Sequence, residues 1–92
     1  MKLFWTHSAR ADLERLVAFL SDVSPRAAQR LTIQLVKAPT ILQELPRLGT
    51  PVERYNPRDV RKLISGKYVF HYELAPKTIY VLRIWHGRED RI

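Results

Sequence analysis

The chain has 92 residues, 46% of them hydrophobic and 27% charged, with no cysteine and a formal net charge of +7. That balance belongs to a single globular domain over residues 1–92 and excludes a disordered chain, disulfides, thiolate chemistry and cysteine-based zinc sites. No apolar run approaches the ~20 residues of a membrane span and no signal-peptide pattern opens the chain, so a cytoplasmic protein without membrane contact is expected.

The charge is unevenly placed. Residues 1–46 carry six Lys/Arg against four Asp/Glu, a net of +2, and residues 47–92 carry ten against five, a net of +5. A basic second half points to an anionic partner, either nucleic acid or an acidic protein, with plain solubility as the alternative.

Lys2–Thr6 is a short apolar run that reads as a first strand, with Trp5 as a core residue. Ser8 is the expected N-cap of a first helix, which places Asp12 and Glu14 near the positive end of its dipole. Ala9, Leu13, Leu16, Val17 and Leu20 form one apolar stripe, and the helix should end at Ser21 or Asp22 because Ser24 precedes Pro25. Ser24 then caps a second helix with Pro25 as its first residue. Ala28, Leu31, Leu35, Ala38, Leu42 and Leu45 continue along one face, and Pro39 predicts a kink or break. The short connection between the helices makes them an antiparallel hairpin.

Residues 49–59, with two prolines and a glycine, read as a loop. From Val60 onward, three runs rich in Val, Ile, Tyr, Phe and Trp are separated by Ser65-Gly66-Lys67 and Ala75-Pro76-Lys77. They predict antiparallel strands over 60–65, 68–74 and 78–86. Strict alternation places Phe70, Leu82 and Ile84 in the core under Leu13, Leu16, Leu20, Leu31, Leu35 and Leu42. The opposite face then carries Arg61, His71, Glu73 and Arg83. The expected fold is α+β in the order β-α-α-β-β-β, with a helical hairpin on one face of a small, mostly antiparallel sheet.

Three scattered glycines cannot build a phosphate loop, and His7, His71 and His86 lack metal-ligand spacing, so no cofactor and no metal are expected. What remains is a basic set: Arg54, Arg58, Arg61, Lys62, Lys67, Arg83, Arg88 and Arg91, with His71 and His86 among them. Arginine suits phosphate or carboxylate, and histidine exchanges protons near neutral pH. Arg83 is the most informative of them, because a charge inside the apolar strand YVLRIWHG must meet solvent or a partner.

The sequence resembles the ParE branch of the ParE/RelE superfamily, the toxin halves of bacterial type II toxin–antitoxin modules. The resemblance is carried by Trp5, Ala9, Asp12-Leu13, Ser24-Pro25, Ala27-Ala28 and Leu45-Pro46-Arg47-Leu48-Gly49. It continues through Val60-Arg61-Lys62-Leu63, Tyr68, Tyr72 and Ile79–Arg88, so it covers nearly the whole chain in order. It implies a toxin held inactive by a cognate antitoxin with a short acidic C-terminal segment. ParE-like members poison DNA gyrase; for that activity the target-binding residues are Arg61, Lys62, Arg83, His86 and Arg88, and no residue is catalytic. RelE-like members cut mRNA on the ribosome; there Arg61, His71, Arg83 and His86 would form the catalytic set. The end of the chain, WHGREDRI, lacks the tyrosine common in RelE-like nucleases. It stops soon after HGR, so contacts from a longer C-terminus are not expected. The gyrase-binding reading is therefore preferred, ahead of the endoribonuclease and of a non-toxic antitoxin-binding module.

Overall fold

The computed structural model describes residues 1–89. Strand β1 (Lys2–Trp5) leads into helices α1 (His7–Ser21) and α2 (Pro25–Lys37), and a 3-10 helix over Ala38–Gln43 prolongs the second. Strand β2 (Thr50–Pro51) and a 3-10 turn over Glu53–Tyr55 precede β3 (Val60–Ser65), β4 (Tyr68–Leu74) and β5 (Thr78–His86). The sheet runs β1-β5-β4-β3-β2, parallel between β1 and β5 and antiparallel elsewhere. This is the expected α+β architecture with one short strand added. Residues 49–59 are thus not wholly a loop: Thr50 and Pro51 pair with Lys62 and Arg61.

Helix α2 begins as predicted, with the Ser24 hydroxyl accepting from the Ala27 amide at 3.1 Å and Pro25 in the first position. Helix α1 does not. Its N-cap is Thr6 and not Ser8, because Thr6 is the last residue with extended backbone and its hydroxyl accepts from the Ala9 amide. The same hydroxyl donates toward the carbonyls of Val81 and Leu82, which ties the helix start to β5. A start at His7 also carries Asp12 and Glu14 past the first turn, beyond the reach of the helix dipole.

Pro39 ends the α-helical pattern as expected. It has no amide proton for the Leu35 carbonyl, so the chain tightens into the 3-10 helix, and its ring is buried against the core. The 3-10 helix ends at Gln43, so Leu45 lies beyond it and is exposed instead of continuing the buried face.

The main core joins Ala9, Leu31, Leu35, Phe70, Val81 and Ile84, with Trp5, Leu13, Leu16, Val17 and Leu20 packed against them. Leu42 belongs to a second cluster with Tyr72 and Ile79. Leu82 is not in either, contrary to the alternation. Opposite β4, Arg83 faces His71 but Val81 faces Tyr72, so Leu82 is an extra residue in a β-bulge. The bulge reverses the alternation within β5: Ile79 and Val81 point inward before it, and Ile84 after it.

The loop before β2 is stapled to the sheet. The buried Tyr72 hydroxyl donates to the Pro46 carbonyl at 2.7 Å and accepts from the Gly49 amide at 2.9 Å. Burial pushes this phenol above its ordinary pKa.

Candidate functional site

The helices cover the sheet face that carries Leu63, Phe70 and Ile84, leaving the opposite face open. Cross-strand register defines that outer face as two neighbouring rows. Lys62, His71 and Arg83 lie side by side across β3, β4 and β5, and next to them lie Ile64, Val69 and Trp85.

His71 sits at the centre and is only 4% exposed. Trp85 packs against it edge-to-face at 4.6 Å between ring centres, and Tyr55 does so at 5.8 Å. Tyr55 arrives from the 3-10 turn between β2 and β3, and the guanidinium groups of Arg54 and Arg58 lie 5.1 and 5.8 Å from its ring. Arg58 is itself held by Glu73 through two hydrogen bonds of 3.1 and 2.6 Å. The hydrogen bonds and charge of Arg58 hold the Glu73 carboxyl below its ordinary pKa. A pocket of about 420 Å³ opens beside His71, lined by residues 50–54, Lys62 and Trp85. Lys62 and Arg54 are its exposed cations, and Glu53 is the one carboxylate among its lining residues.

The remaining sequence-predicted residues are dispersed. Arg61 does not share the face of His71. Register sets it opposite Tyr72, one residue out of step, and its guanidinium binds Asp59 and the carbonyls of Gly49 and Arg47. It braces the loop before β2. Arg83 is paired within the chain: its Nε and NH2 donate to the Asp12 carboxylate on α1 at 2.8 and 3.0 Å. The Ile84 amide donates to the same carboxylate at 2.9 Å. This contact exists because β1 ends opposite Val81, so the last residues of β5 have α1 and not a strand along that edge.

Burial alone would push the Asp12 carboxyl up. The hydrogen bonds from Arg83 and the Ile84 amide, with the charges of Arg83 and Arg15, outweigh it and hold the carboxyl below its ordinary pKa. Arg15 also binds Glu89, whose other oxygen accepts from the His86 amide, so α1 fastens the turn that follows β5.

His86 faces Tyr68 at 5.2 Å on the helix side of the sheet, away from His71, and its Nδ1 accepts from the Arg88 amide. Arg88 and Lys67 are exposed, and Arg91 lies outside the described residues. Of the set read from the sequence, the structure thus brings together Lys62, His71, Arg83 and Arg54, and separates Arg61 and His86 from them. Alternation places Trp85 on the face of Arg83, as the structure does, whereas sequence reasoning missed Tyr55 and Ile64 as members of this face and Asp12 as the partner of Arg83. Asp12 did leave a signal, because three residues after Ala9 and four before Leu16 it falls on the apolar stripe of α1, where a charge needs a partner.

Among the described residues no group of three or more His, Asp or Glu could hold a metal ion, and no helix is long and apolar enough to cross a membrane.

A helical hairpin on one face of a five-stranded sheet, with a basic and aromatic opposite face, places the chain among the small toxins of the ParE/RelE superfamily. The sequence profile of the family described as the ParE toxin of the type II toxin–antitoxin system parDE matches residues 3–91, and the chain belongs to that family. Toxin RelE1 of Caulobacter vibrioides is 36% identical over 83 residues, covering 90% of this chain and 89% of that protein. Toxin RelE2 of the same organism is 33% identical over 87 residues, covering 94% of each. Among solved structures, the chromosomal ParDE system from P. aeruginosa superposes with a TM-score of 0.78 at 26% identity, covering 94% of this chain and 95% of that one. The toxin–antitoxin complex RelBE2 from Mycobacterium tuberculosis gives 0.65 at 25% identity, covering 92% and 95%.

Proposed function

We propose that this toxin acts as a ParE-like inhibitor of DNA gyrase, by protein contact and without chemistry of its own. One observation carries the reading: of Arg61, His71, Arg83 and His86, the set expected of a nuclease, only His71 and Arg83 are neighbours. Arg83 is engaged by Asp12, Arg61 is turned to the other side of β3, and His86 and His71 lie on opposite faces. Phosphoryl chemistry needs cations and a proton-transfer group gathered around one phosphate. The outer face instead offers Lys62, Arg54 and an exposed isoleucine beside a buried histidine.

The proposed partner in the resting state is a cognate antitoxin with an acidic C-terminal segment. The net charge of +7 supports it, as does an apolar rim on the helical hairpin, where Phe19 and Val23 are each 81% exposed. Such a rim suits a segment that folds as it binds.

The second reading, ribosome-dependent mRNA cleavage, is favoured by the two relatives named RelE and by Lys62 and Arg54 standing over His71. Expression without the antitoxin separates the readings. Growth arrest with DNA breaks and an SOS response is the expected result. Rapid loss of translated message with intact DNA would overturn gyrase in favour of cleavage, and unimpaired growth would leave a non-toxic antitoxin-binding module.

A further inference from the structure

The outer face has a second feature that the basic residues alone do not describe. Ile64, Val69 and Trp85 stand in one cross-strand row, and Ile64 is 62% exposed at the turn end of β3, beyond the residues that β2 pairs. A single exposed apolar side chain is ordinary, but Ile64 continues into the half-buried Val69 and Trp85, in register on the adjacent strands, and the three make a contiguous patch. The patch is firm. Trp85 is wedged against His71, and the two-residue turn beside Ile64 is closed by Gly66 at φ 58°, a left-handed geometry that glycine adopts freely. The Gly87 amide donates to the Lys67 carbonyl at 2.7 Å, which locks the turn to the end of β5.

Cations rim this row. Lys62 precedes Ile64 by two residues on the same face, and Lys67 and Arg88 stand at the locked end; all three are exposed. Two carboxylates of β4 and of the turn after β5 are committed elsewhere, Glu89 to Arg15 and Glu73 to Arg58, which leaves Glu53, in the pocket shared with Lys62 and Trp85, against the three cations. Ile64 and Val69 offer a nucleobase neither a ring to stack on nor a hydrogen bond, and the one ring of the row, Trp85, is packed edge-to-face with His71. The row does offer a seat for an apolar side chain, and an apolar centre with a charged rim is the anatomy of a protein–protein contact.

We propose that the Ile64–Val69–Trp85 row, rimmed by Lys62, Lys67 and Arg88, docks an acidic, apolar-tipped segment of the target protein. The inference rests on the reading that the toxin works by protein contact, and it names where that contact is made. Ile64 supplies the buried centre, and the three cations choose an acidic partner and set its approach.

The test compares the wild type with Ile64→Glu, Lys62→Glu and, as a control on another exposed isoleucine, Ile41→Glu. Each is first shown to unfold at the wild-type temperature. Inhibition of purified DNA gyrase and growth arrest on expression are then measured for all four. Ile64→Glu should lose at least tenfold in both, Lys62→Glu should lose less and more so at low salt, and Ile41→Glu should match the wild type. If the wild type inhibits gyrase and Ile64→Glu does so equally, the docking surface is wrong while the gyrase reading stands. If the wild type arrests growth without touching gyrase and Ile64→Glu relieves the arrest, gyrase is wrong and the docking surface stands. A loss in Lys62→Glu with Ile64→Glu unaffected would assign the face to a nucleic acid and overturn the proposal. A wild type that neither arrests growth nor inhibits gyrase would remove both.

Discussion

Asp12 of α1 and Arg83 of β5, 71 residues apart, are joined by two hydrogen bonds of 2.8 and 3.0 Å. The pair is lopsided, with an aspartate side chain 6% exposed and an arginine side chain 39% exposed. It explains why a charge interrupts the apolar strand YVLRIWHG. The arginine reaches α1 over the edge that β1 leaves uncovered, and the carboxylate also takes the Ile84 amide that a further strand would have taken.

Removing the arginine should therefore be the costlier half of the exchange, since it leaves a buried carboxylate with one amide and a longer contact to Arg15. We expect Arg83→Ala to lose about 1–3 kcal/mol, below the cost of breaking a fully buried pair because Arg83 is partly in water. A double-mutant cycle with Asp12→Ala, read by urea unfolding, should return a coupling of at least ~0.5 kcal/mol. Additive losses would show that the two residues do not support each other.

The acid side of the stability curve should carry the same signature. Asp12 has a lower pKa in the fold than an ordinary aspartate, near 3.9 in an open chain. Its stabilising contribution is thus complete above about pH 5 and is lost as pH falls through the lowered folded value. The stability difference between the wild type and Asp12→Asn should be widest near neutrality and should close below about pH 4. A difference that stays constant from neutrality into that acid range would contradict the assignment.

Gly49 is fixed by its surroundings. A Cβ there would lie 2.7 Å from the Lys62 carbonyl oxygen and 2.7 Å from a Tyr72 ring carbon. Neither can retreat, because Lys62 is held in the ladder and Tyr72 is fully buried. Gly49→Ala should cost about 1–3 kcal/mol by overpacking. Tyr72→Phe, which removes the hydroxyl bridging Pro46 and Gly49, should cost a similar ~1–3 kcal/mol and should speed amide exchange at Gly49. Wild-type exchange in Tyr72→Phe would mean that the staple holds nothing.

Leu35, fully buried at the centre of the main core, should lose about 2–5 kcal/mol on truncation to alanine. In a domain of this size that is a large share of the total, so Leu35→Ala should unfold many degrees early by calorimetry. An unchanged transition would place Leu35 outside the core.

The local signals were strong enough to draw the elements. Ser24-Pro25, Pro39, Ser65-Gly66-Lys67 and Ala75-Pro76-Lys77 punctuate the chain where the structure does, because each acts on its own backbone. Features that depend on distant residues were not legible. The bulge at Leu82 exists only relative to β4, and it exchanges Leu82 for Val81 in the core. Register decides that Lys62 and not Arg61 lies beside His71, a one-residue difference that changes the face. Ser8 and Thr6 are both chemically fit to cap, and the choice was made by the carbonyls of β5 that Thr6 also reaches. For the candidate site, a basic outer face was readable from composition and alternation. Of its aromatic wall, Trp85 was readable from the same alternation and Tyr55 was not, since it arrives on a turn that carries no periodicity.

The proposed mode of action is inhibition of gyrase by binding. It is tested most directly by titrating the purified, folded chain into a DNA supercoiling reaction catalysed by gyrase. A gyrase-binding toxin should give a dose-dependent loss of supercoiling that the cognate antitoxin reverses. Full supercoiling at a large molar excess of the toxin would contradict that mode of action.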